Sequence, residues 1–170
     1  MKKLLFAILM LLAMSACSTT AKLAEGDVLY TGVKKLDVTA ADSVKIPSGI
    51  SDNIGEIIDV PANNSWYVGS PFTLGLWLYN HWPEDSKGLK GWIYRKFAEE
   101  PVLMSDVRPD LRMKMVEDML DKNGYFGSTT SYDLKYSKKN SRKARVNYYV
   151  RLAPPKRIAE IIYLPDSSEL

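Results

Sequence analysis

The alternation of apolar and polar positions predicts a helix and a β-hairpin in the second half of the chain. From Pro109 onward, apolar residues recur at the spacing of one helix face until the chain reaches Gly124. Proline suits the first turn of a helix, and glycine suits the left-handed position beyond its last turn, so these two residues mark the helix ends. The predicted apolar stripe consists of Leu111, Met115, Val116, Met119 and Leu120.

Two stretches with a period of two follow this helix, and that period is typical of β-strands. The first is Ser128–Tyr136, and the second ends at Leu152. Residues 137–141 turn the chain between them, so the two strands are predicted to pair antiparallel as a hairpin. The residues predicted to share one face are Thr130, Tyr132, Leu134 and Tyr136 on the first strand, and Ala144, Val146, Tyr148, Val150 and Leu152 on the second.

Upstream, the pattern predicts one further strand and one short helix. Val28–Val38 alternates imperfectly and is the predicted first strand. Pro47 and Gly49 then interrupt the chain, and Ser51 is the predicted cap of a helix. The apolar residues of that helix at helical spacing are Ile50, Ile54, Ile57 and Ile58.

The region from Trp66 to Phe97 holds half of the chain's aromatic residues. Its second part is predicted to be helical, with Leu89, Trp92, Ile93 and Phe97 at helical spacing and with Lys90, Arg95 and Lys96 outward.

Two interpretations of this region stay open. Three of its four tryptophans, Trp77, Trp82 and Trp92, either form an interface for a membrane surface or a partner, or pack as a satellite hydrophobic cluster over one end of the sheet.

The start of the chain is typical of an exported protein. Lys2 and Lys3 precede an apolar run, Leu4–Met14, that is too short to span a bilayer and fits a secretory signal.

The run ends in Met-Ser-Ala-Cys17, which resembles the bacterial lipoprotein box, although leucine is more usual where Met14 stands. The resemblance implies that Cys17 takes a diacylglycerol and becomes the mature N-terminus. Ser18 is not the acidic residue that retains some lipoproteins in the inner membrane, so the outer membrane is favoured. The alternative is an ordinary signal peptide followed by an unrelated cysteine.

Composition argues against several function classes. The formal net charge is +3, and two of those charges are Lys2 and Lys3 of the predicted signal, so no nucleic-acid partner is expected. A single cysteine allows no internal disulfide, and with only one histidine, His81, a zinc site or a Cys/His nucleophile lacks its parts. We therefore predict no catalytic residue, no metal and no cofactor.

The hairpin turn carries several basic residues and is predicted to be a solvated loop. They are Lys138, Lys139, Arg142, Lys143 and Arg145.

Three features together resemble a POTRA domain of the BamA/TamA outer-membrane assembly factors. They are the helix that ends in Gly124-Tyr125-Phe126, the hairpin whose second strand is followed by proline, and a short strand predicted over Arg157–Leu164. Residues 71–102 are also similar to lipidated members of that family with a long aromatic insert. The resemblance implies an α+β fold of the order β-α-α-β-β, with a small mixed three-stranded sheet covered by helices on one face. In that topology Val28–Val38 lies parallel to a central Lys143–Leu152, and Ser128–Tyr136 lies at the edge.

The expected organisation is a lipoprotein signal peptide at 1–16, a tether at 17–27 and a POTRA-like domain at 28–156 with an aromatic insert at 61–104. Residues 157–170 are expected to begin a following module. The chain is then either the N-terminal piece of a longer insertase or a free-standing lipoprotein.

The resemblance implies a non-enzymatic, lipid-anchored module on the periplasmic side of the outer membrane. It is expected to bind unfolded outer-membrane proteins or other assembly subunits by β-augmentation, through the edge residues Ser128, Thr130, Tyr132 and Leu134. The main alternative is an outer-membrane lipoprotein that binds a fixed envelope partner or a glycan through its aromatic insert. A carboxylate-based enzyme acting on a glycan is the third and least favoured alternative.

Overall fold

A computed structural model describes residues 19–40, 45–63 and 73–161 of the chain. Its strands are β1 (Leu29–Ala40), β2 (Thr129–Tyr136) and β3 (Lys143–Leu152). Its helices are α1 (Ser48–Ile58), α2 (Leu74–His81), α3 (Gly88–Phe97), the single turn α4 (Met104–Val107) and α5 (Pro109–Lys122). The predicted signal peptide, Cys17, Trp66, Tyr67, Phe72 and residues 162–170 lie outside the described residues.

The sheet is small, mixed and open, with the strand order β1-β3-β2. The central strand β3 runs parallel to β1 and antiparallel to β2. This is the predicted arrangement, and the predicted α+β class is confirmed. The strand bounds also agree with the alternation in the sequence, to within two residues at every end.

The core lies on one face of the sheet, because every second residue of β3 from Ala144 to Leu152 is buried there. Helices α1 and α5 cover this face, as predicted for two helices on one side. Their core residues are Ile50, Ile54 and Ile58 from α1, and Met113, Val116 and Leu120 from α5. Full burial of an aliphatic side chain contributes about 1.5–3 kcal/mol, so these six side chains supply much of the force that holds the helices on the sheet.

Helix α5 ends in a Schellman motif, which the glycine after it makes possible. The N–H of Tyr125 donates to the carbonyl of Leu120, and the N–H of Gly124 donates to the carbonyl of Asp121, each at 2.9 Å. Gly124 has φ +86°, in the left-handed region that favours glycine. Tyr125 is buried in the core, so the motif also aims the chain from α5 into the hairpin.

The buried face of α5 differs from the predicted stripe by about a quarter turn of the helix. Leu111 and Met115 are exposed, whereas Met113 is buried. The reason is that two polar contacts fix the rotation of α5. On one side the Arg112 guanidinium donates to the Ile57 carbonyl of α1, and on the other Glu117 accepts a hydrogen bond from Thr130 of β2. The side of α5 that lies between Arg112 and Glu117 faces the core, and Met113 is on that side.

Two other predicted local features are wrong. Ser51 does not cap α1, since the helix already begins at Ser48 after Pro47. The fixed φ of proline suits the beginning of a helix. The break predicted at Pro47 is therefore the N-terminal boundary of α1. The strand predicted over Arg157–Leu164 is not formed in residues 157–161, which are exposed. A strand needs the backbone groups of a neighbour, and none of the described strands lies beside this stretch.

Candidate functional site

Strand β2 is an edge strand, because the only described strand that pairs with it is β3. Its register with β3 is continuous from Thr129 to Tyr136. The N–H of Ser137 donates to the carbonyl of Lys143 at 2.8 Å, and these two residues stand opposite each other in the same register. In an antiparallel pair, hydrogen-bonded and non-hydrogen-bonded positions alternate along the strand.

This alternation determines which backbone groups of β2 are free. The odd-numbered residues from Thr129 to Lys135 direct their N–H and C=O groups to β3. The residues between them direct theirs away from the sheet, toward the open edge. They are Thr130, Tyr132, Leu134 and Tyr136.

The same four residues carry side chains on the face that bears the helices. Thr130 is held by its hydroxyl, which donates to the Glu117 carboxylate of α5 at 2.8 Å. Tyr132 is 42% exposed and Tyr136 is 53% exposed. No described strand pairs with this edge, so it combines outward backbone donors and acceptors with two aromatic rings beside them, which is the chemistry that an added strand uses.

Three of the four edge residues predicted from sequence belong to this set, and Ser128 does not. Ser128 precedes β2, and its N–H and hydroxyl both donate to the carbonyl of Tyr125, at 3.2 Å and 2.7 Å. Its oxygen also accepts a hydrogen bond from the N–H of Ala153. Ser128 thus closes the base of the hairpin. Tyr136 is not among the predicted edge residues, although the alternation in the sequence already includes it.

The opposite edge of the sheet is less accessible to an added strand. At the start of β1, the N–H of Tyr30 donates to the carbonyl of Val102 at 2.9 Å, so a loop already covers this end. The register with β3 then shifts on both sides of Val33, where Gly32 has φ +101°. Such irregularities twist an edge and hinder further pairing. Of the two edges, β2 is the regular one.

Beneath the edge, the sheet presents an uncharged and tightly packed layer. Tyr148 of β3 stands opposite Tyr132, and its hydroxyl is buried without a hydrogen-bond partner among the described residues. Burial raises the pKa of Tyr148 to about 12. Burial also raises the pKa of the neighbouring Tyr30, whose hydroxyl donates to the Val60 carbonyl. Both tyrosines are neutral at physiological pH, and they serve packing better than acid–base chemistry.

Helices α1 and α5 do not cover the other face of the sheet. Asn147 lies at the centre of this face, between Lys35 of β1 and Asp133 of β2 in the register. The residue is nevertheless only 5% exposed. The Oδ1 atom of Asn147 has no hydrogen-bond partner in the described part of the chain. Asn147 is not among the residues predicted from sequence, since in an alternating strand it appears only as one more polar position.

The three candidate tryptophans make ring contacts with different neighbours. Trp77 stacks on His81 with ring centroids 5.0 Å apart, and its edge contacts Trp82 at 6.3 Å. Trp92 lies on α3 and contacts Phe97, also at 6.3 Å. A ring nitrogen of His81 is hydrogen-bonded to the Trp77 carbonyl. Within residues 19–40, 45–63 and 73–161, no group of three or more His, Cys, Asp or Glu side chains is placed to hold a metal ion.

The predicted solvated loop is only partly solvated, because Arg142 anchors the N-terminal segment. Its guanidinium donates to the carbonyls of Thr20 and Ala24, at 3.3 Å and 2.6 Å. Lys143 is half-buried, and this burial lowers its pKa. Lys138 and Lys139 are exposed, as predicted.

Residues 19–24 are also fastened to α2. The Asn80 side chain accepts from the N–H of Lys22 at 2.9 Å and donates to the Thr19 carbonyl at 3.4 Å. The Lys22 ammonium donates to the carbonyl of Tyr79 and lies 4.9 Å from the centre of that ring. The described chain therefore begins directly beside α2.

Comparison with known proteins identifies no relative: no family model matches the chain, and no curated protein or solved structure matches it. In the part of the chain that the structure describes, no helix is both long enough and apolar enough to cross a bilayer.

Proposed function

We propose that this chain is a POTRA-like, non-enzymatic module of an outer-membrane β-barrel assembly factor. In this proposal the module is anchored at the periplasmic side of the outer membrane by a lipid on Cys17. It binds an extended segment of an unfolded barrel protein, or of another assembly subunit, as a fourth strand beside β2. The observation that carries the proposal is the regular, unpaired edge of β2, with the outward backbone groups of Thr130, Tyr132, Leu134 and Tyr136.

The sheet order supports the family part of the proposal. A POTRA domain implies a central last strand with the first strand parallel to it, and β3 and β1 have that relation. The left-handed Gly124 and the buried Tyr125 give the Gly-Tyr-Phe segment a structural role between helix and hairpin. Helices α2 and α3 correspond in position to the aromatic insert expected from the resemblance.

Backbone pairing suits a module that meets many unfolded clients. The four outward residues of β2 each offer one N–H and one C=O, and these groups read no client sequence. A net hydrogen bond contributes only about 0.5–1.5 kcal/mol, while association costs several kcal/mol, so such binding is weak and reversible. Contacts of the client with Tyr132 and Tyr136 add some affinity without demanding one particular residue.

The alternation of outward and inward groups allows a sharp test with proline. Tyr132→Pro removes an outward N–H and leaves the bonds to β3 in place, since proline is tolerated at the solvent side of an edge strand. Tyr132→Ala is its matched control, because it removes the ring and keeps the N–H. Ser131→Pro removes an inward N–H instead and should weaken the hairpin itself.

The probe is a fluorescent peptide of about ten alternating polar and apolar residues, the length of a membrane-spanning β-strand. We expect Tyr132→Pro to abolish binding while its far-UV circular dichroism and unfolding midpoint stay close to those of the wild type. Tyr132→Ala should retain most of the binding. If Tyr132→Pro folds and binds the peptide as the wild type does, strand addition at β2 is refuted.

The alternative function, capture of a fixed envelope partner or glycan by the aromatic residues of α2 and α3, is favoured by one observation. Trp92 is half exposed on α3. The described ring contacts join Trp77 to Trp82 and Trp92 to Phe97, and they do not link the three tryptophans into the continuous platform that a sugar ring stacks on. This alternative predicts that Trp77→Ala and Trp92→Ala abolish partner binding while Tyr132→Pro does not.

A further inference from the structure

Helix α3 turns its apolar side outward. Leu89 is 73% exposed, Trp92 is 51% exposed and Phe97 is 46% exposed. At 100° per residue these three side chains fall within one arc of the helix. The buried residues Gly91 and Tyr94 fall on the opposite side. Three of the four residues of the apolar stripe predicted for this helix are therefore exposed, and the fourth, Ile93, is partly buried.

The packing of α3 holds it in this orientation. Tyr94 is buried on the side of α3 opposite the apolar arc. Gly91 is buried on the same side, and a Cβ atom there would clash with the carbonyl oxygen of Ser86, in the segment that leads into the helix. Rotation of α3 to bury Leu89 and Trp92 would expose Tyr94. The exposed apolar arc is therefore a fixed surface of the molecule.

Basic side chains lie within this surface and beside it. Lys90, Arg95 and Lys96 are exposed, and Gly88–Phe97 contains no acidic residue. The Lys96 ammonium lies 5.5 Å from the centre of the Trp92 ring, and the Lys90 ammonium lies 5.1 Å from that of Trp82. The acidic residues nearest in sequence lie outside the helix itself; they are Glu84, Asp85, Glu99 and Glu100.

The position of the N-terminal segment supplies a separate argument. Thr19 is hydrogen-bonded to Asn80 of α2, and α2 packs against α3. Cys17 precedes Thr19 by two residues, which span at most about 7 Å when fully extended. A lipid on Cys17 would therefore enter the bilayer beside the pair of helices α2 and α3.

We propose that the outer face of α3, formed by Leu89, Trp92 and Phe97, lies in the interface of a bilayer that contains anionic lipids. The apolar side chains enter the boundary between headgroups and acyl chains, and Lys90, Arg95 and Lys96 contact headgroup phosphates. This second contact holds the protein in one orientation on the membrane, which a single lipid chain does not. The inference shares the lipid on Cys17 with the proposed function and does not depend on client binding at β2.

Quenching of tryptophan fluorescence by lipid tests the proposal. The full mature chain is reconstituted into vesicles of phosphatidylethanolamine and phosphatidylglycerol whose acyl chains carry bromine. Bromine quenches only the rings that reach it. We expect clear quenching of the wild type, and we expect most of it to disappear in Trp92→Phe but not in Trp77→Phe. Replacing phosphatidylglycerol by a neutral lipid should reduce the quenching.

A pair of double variants controls for the general effect of removing exposed apolar residues. Leu89→Ser with Phe97→Ser should lose most of the quenching of Trp92. Phe126→Ser with Ile158→Ser removes exposed apolar side chains that lie outside α3, and it should leave the quenching unchanged. All four substitutions are at exposed positions, so the unfolding midpoints should stay close to that of the wild type.

Equal quenching in wild type and Trp92→Phe would overturn the proposal, and so would no quenching of the wild type. A shift of Trp92 emission with soluble peptidoglycan fragments but not with vesicles would assign the face to a glycan and would also overturn it. The strand-peptide assay contains no membrane, so failure at α3 and failure at β2 are distinguished.

Discussion

Replacement of Gly124 by alanine tests the junction between α5 and the hairpin. Gly124 has φ +86°, and a Cβ atom there would lie 2.8 Å from the carbonyl oxygen of Lys156. That oxygen belongs to a segment whose own N–H donates to the Gly124 carbonyl at 2.8 Å. An added methyl group therefore both strains the backbone and pushes away the segment after β3.

The matched control is Gly127→Ala, because Gly127 has φ +82° and no atom within 4 Å of its added Cβ. The left-handed conformation costs alanine about 1–2 kcal/mol at either site, and the effect on the unfolded chain is the same. The two variants differ only in the contact with Lys156. Loss of its hydrogen bond to Gly124 should destabilise Gly124→Ala by about 0.5–1.5 kcal/mol more than Gly127→Ala.

The assay is urea unfolding followed by tryptophan fluorescence and circular dichroism, with the difference in midpoint converted through a common slope. Equal midpoints for the two variants, or a lower midpoint for Gly127→Ala, would refute the contact between Gly124 and the segment around Lys156. Glycine at position 124 would then be required by its left-handed backbone alone.

Three further predictions follow from the core and from the N-terminus. Ile54→Ala should lower the free energy of unfolding in urea by about 2–5 kcal/mol, since Ile54 is fully buried. Ile158→Ala, at an exposed site, should change the unfolding midpoint little. Similar losses in the two variants would contradict the assigned core. Tyr148→Phe should leave stability at pH 7 unchanged or higher, because the lost hydroxyl has no partner among the described residues. The raised pKa of Tyr148 contributes stability that is complete below pH 10 and is lost as the pH rises toward 12. The wild type should therefore lose more stability than Tyr148→Phe over that range. Equal losses would contradict the burial of this hydroxyl. Mass spectrometry of the chain from a bacterial membrane fraction should show residues 1–16 removed and a lipid on Cys17, and an unmodified thiol there would refute the anchor.

The sheet could be predicted from sequence because its signal is local and repetitive. In β3 every second residue from Ala144 to Leu152 is apolar, and a period of two indicates a β-strand with one covered face. Gly124 could also be predicted as a helix end, because a helical stripe stops just before it. The edge position of β2 came from the family topology and not from the residues of β2 themselves.

The faces of the helices could not be predicted from apolar spacing alone. In α5, two adjacent stripes are apolar, and the contacts of Arg112 and Glu117 with other elements decide which one is buried. In α3, the buried side is that of Gly91 and Tyr94, and Gly91 carries no hydrophobic signal. Tertiary contacts outweigh the hydrophobic pattern in both helices.

Irregular features of the site were also beyond sequence reasoning. The shifts in register around Val33 distinguish the irregular β1 edge from the regular β2 edge, and in the sequence they appear only as imperfect alternation. The role of Arg142 as an anchor for residues 19–24 depends on a contact between chain segments more than a hundred residues apart.

Amide hydrogen exchange, resolved by residue, tests the central claim most directly. With the alternating peptide bound, the outward amides of Thr130, Tyr132 and Leu134 should become slower to exchange. The inward amides of Ser131 and Asp133 should change less, since they are already bonded to β3. Protection that appears along β1 instead, or in no strand of the sheet, would contradict the account.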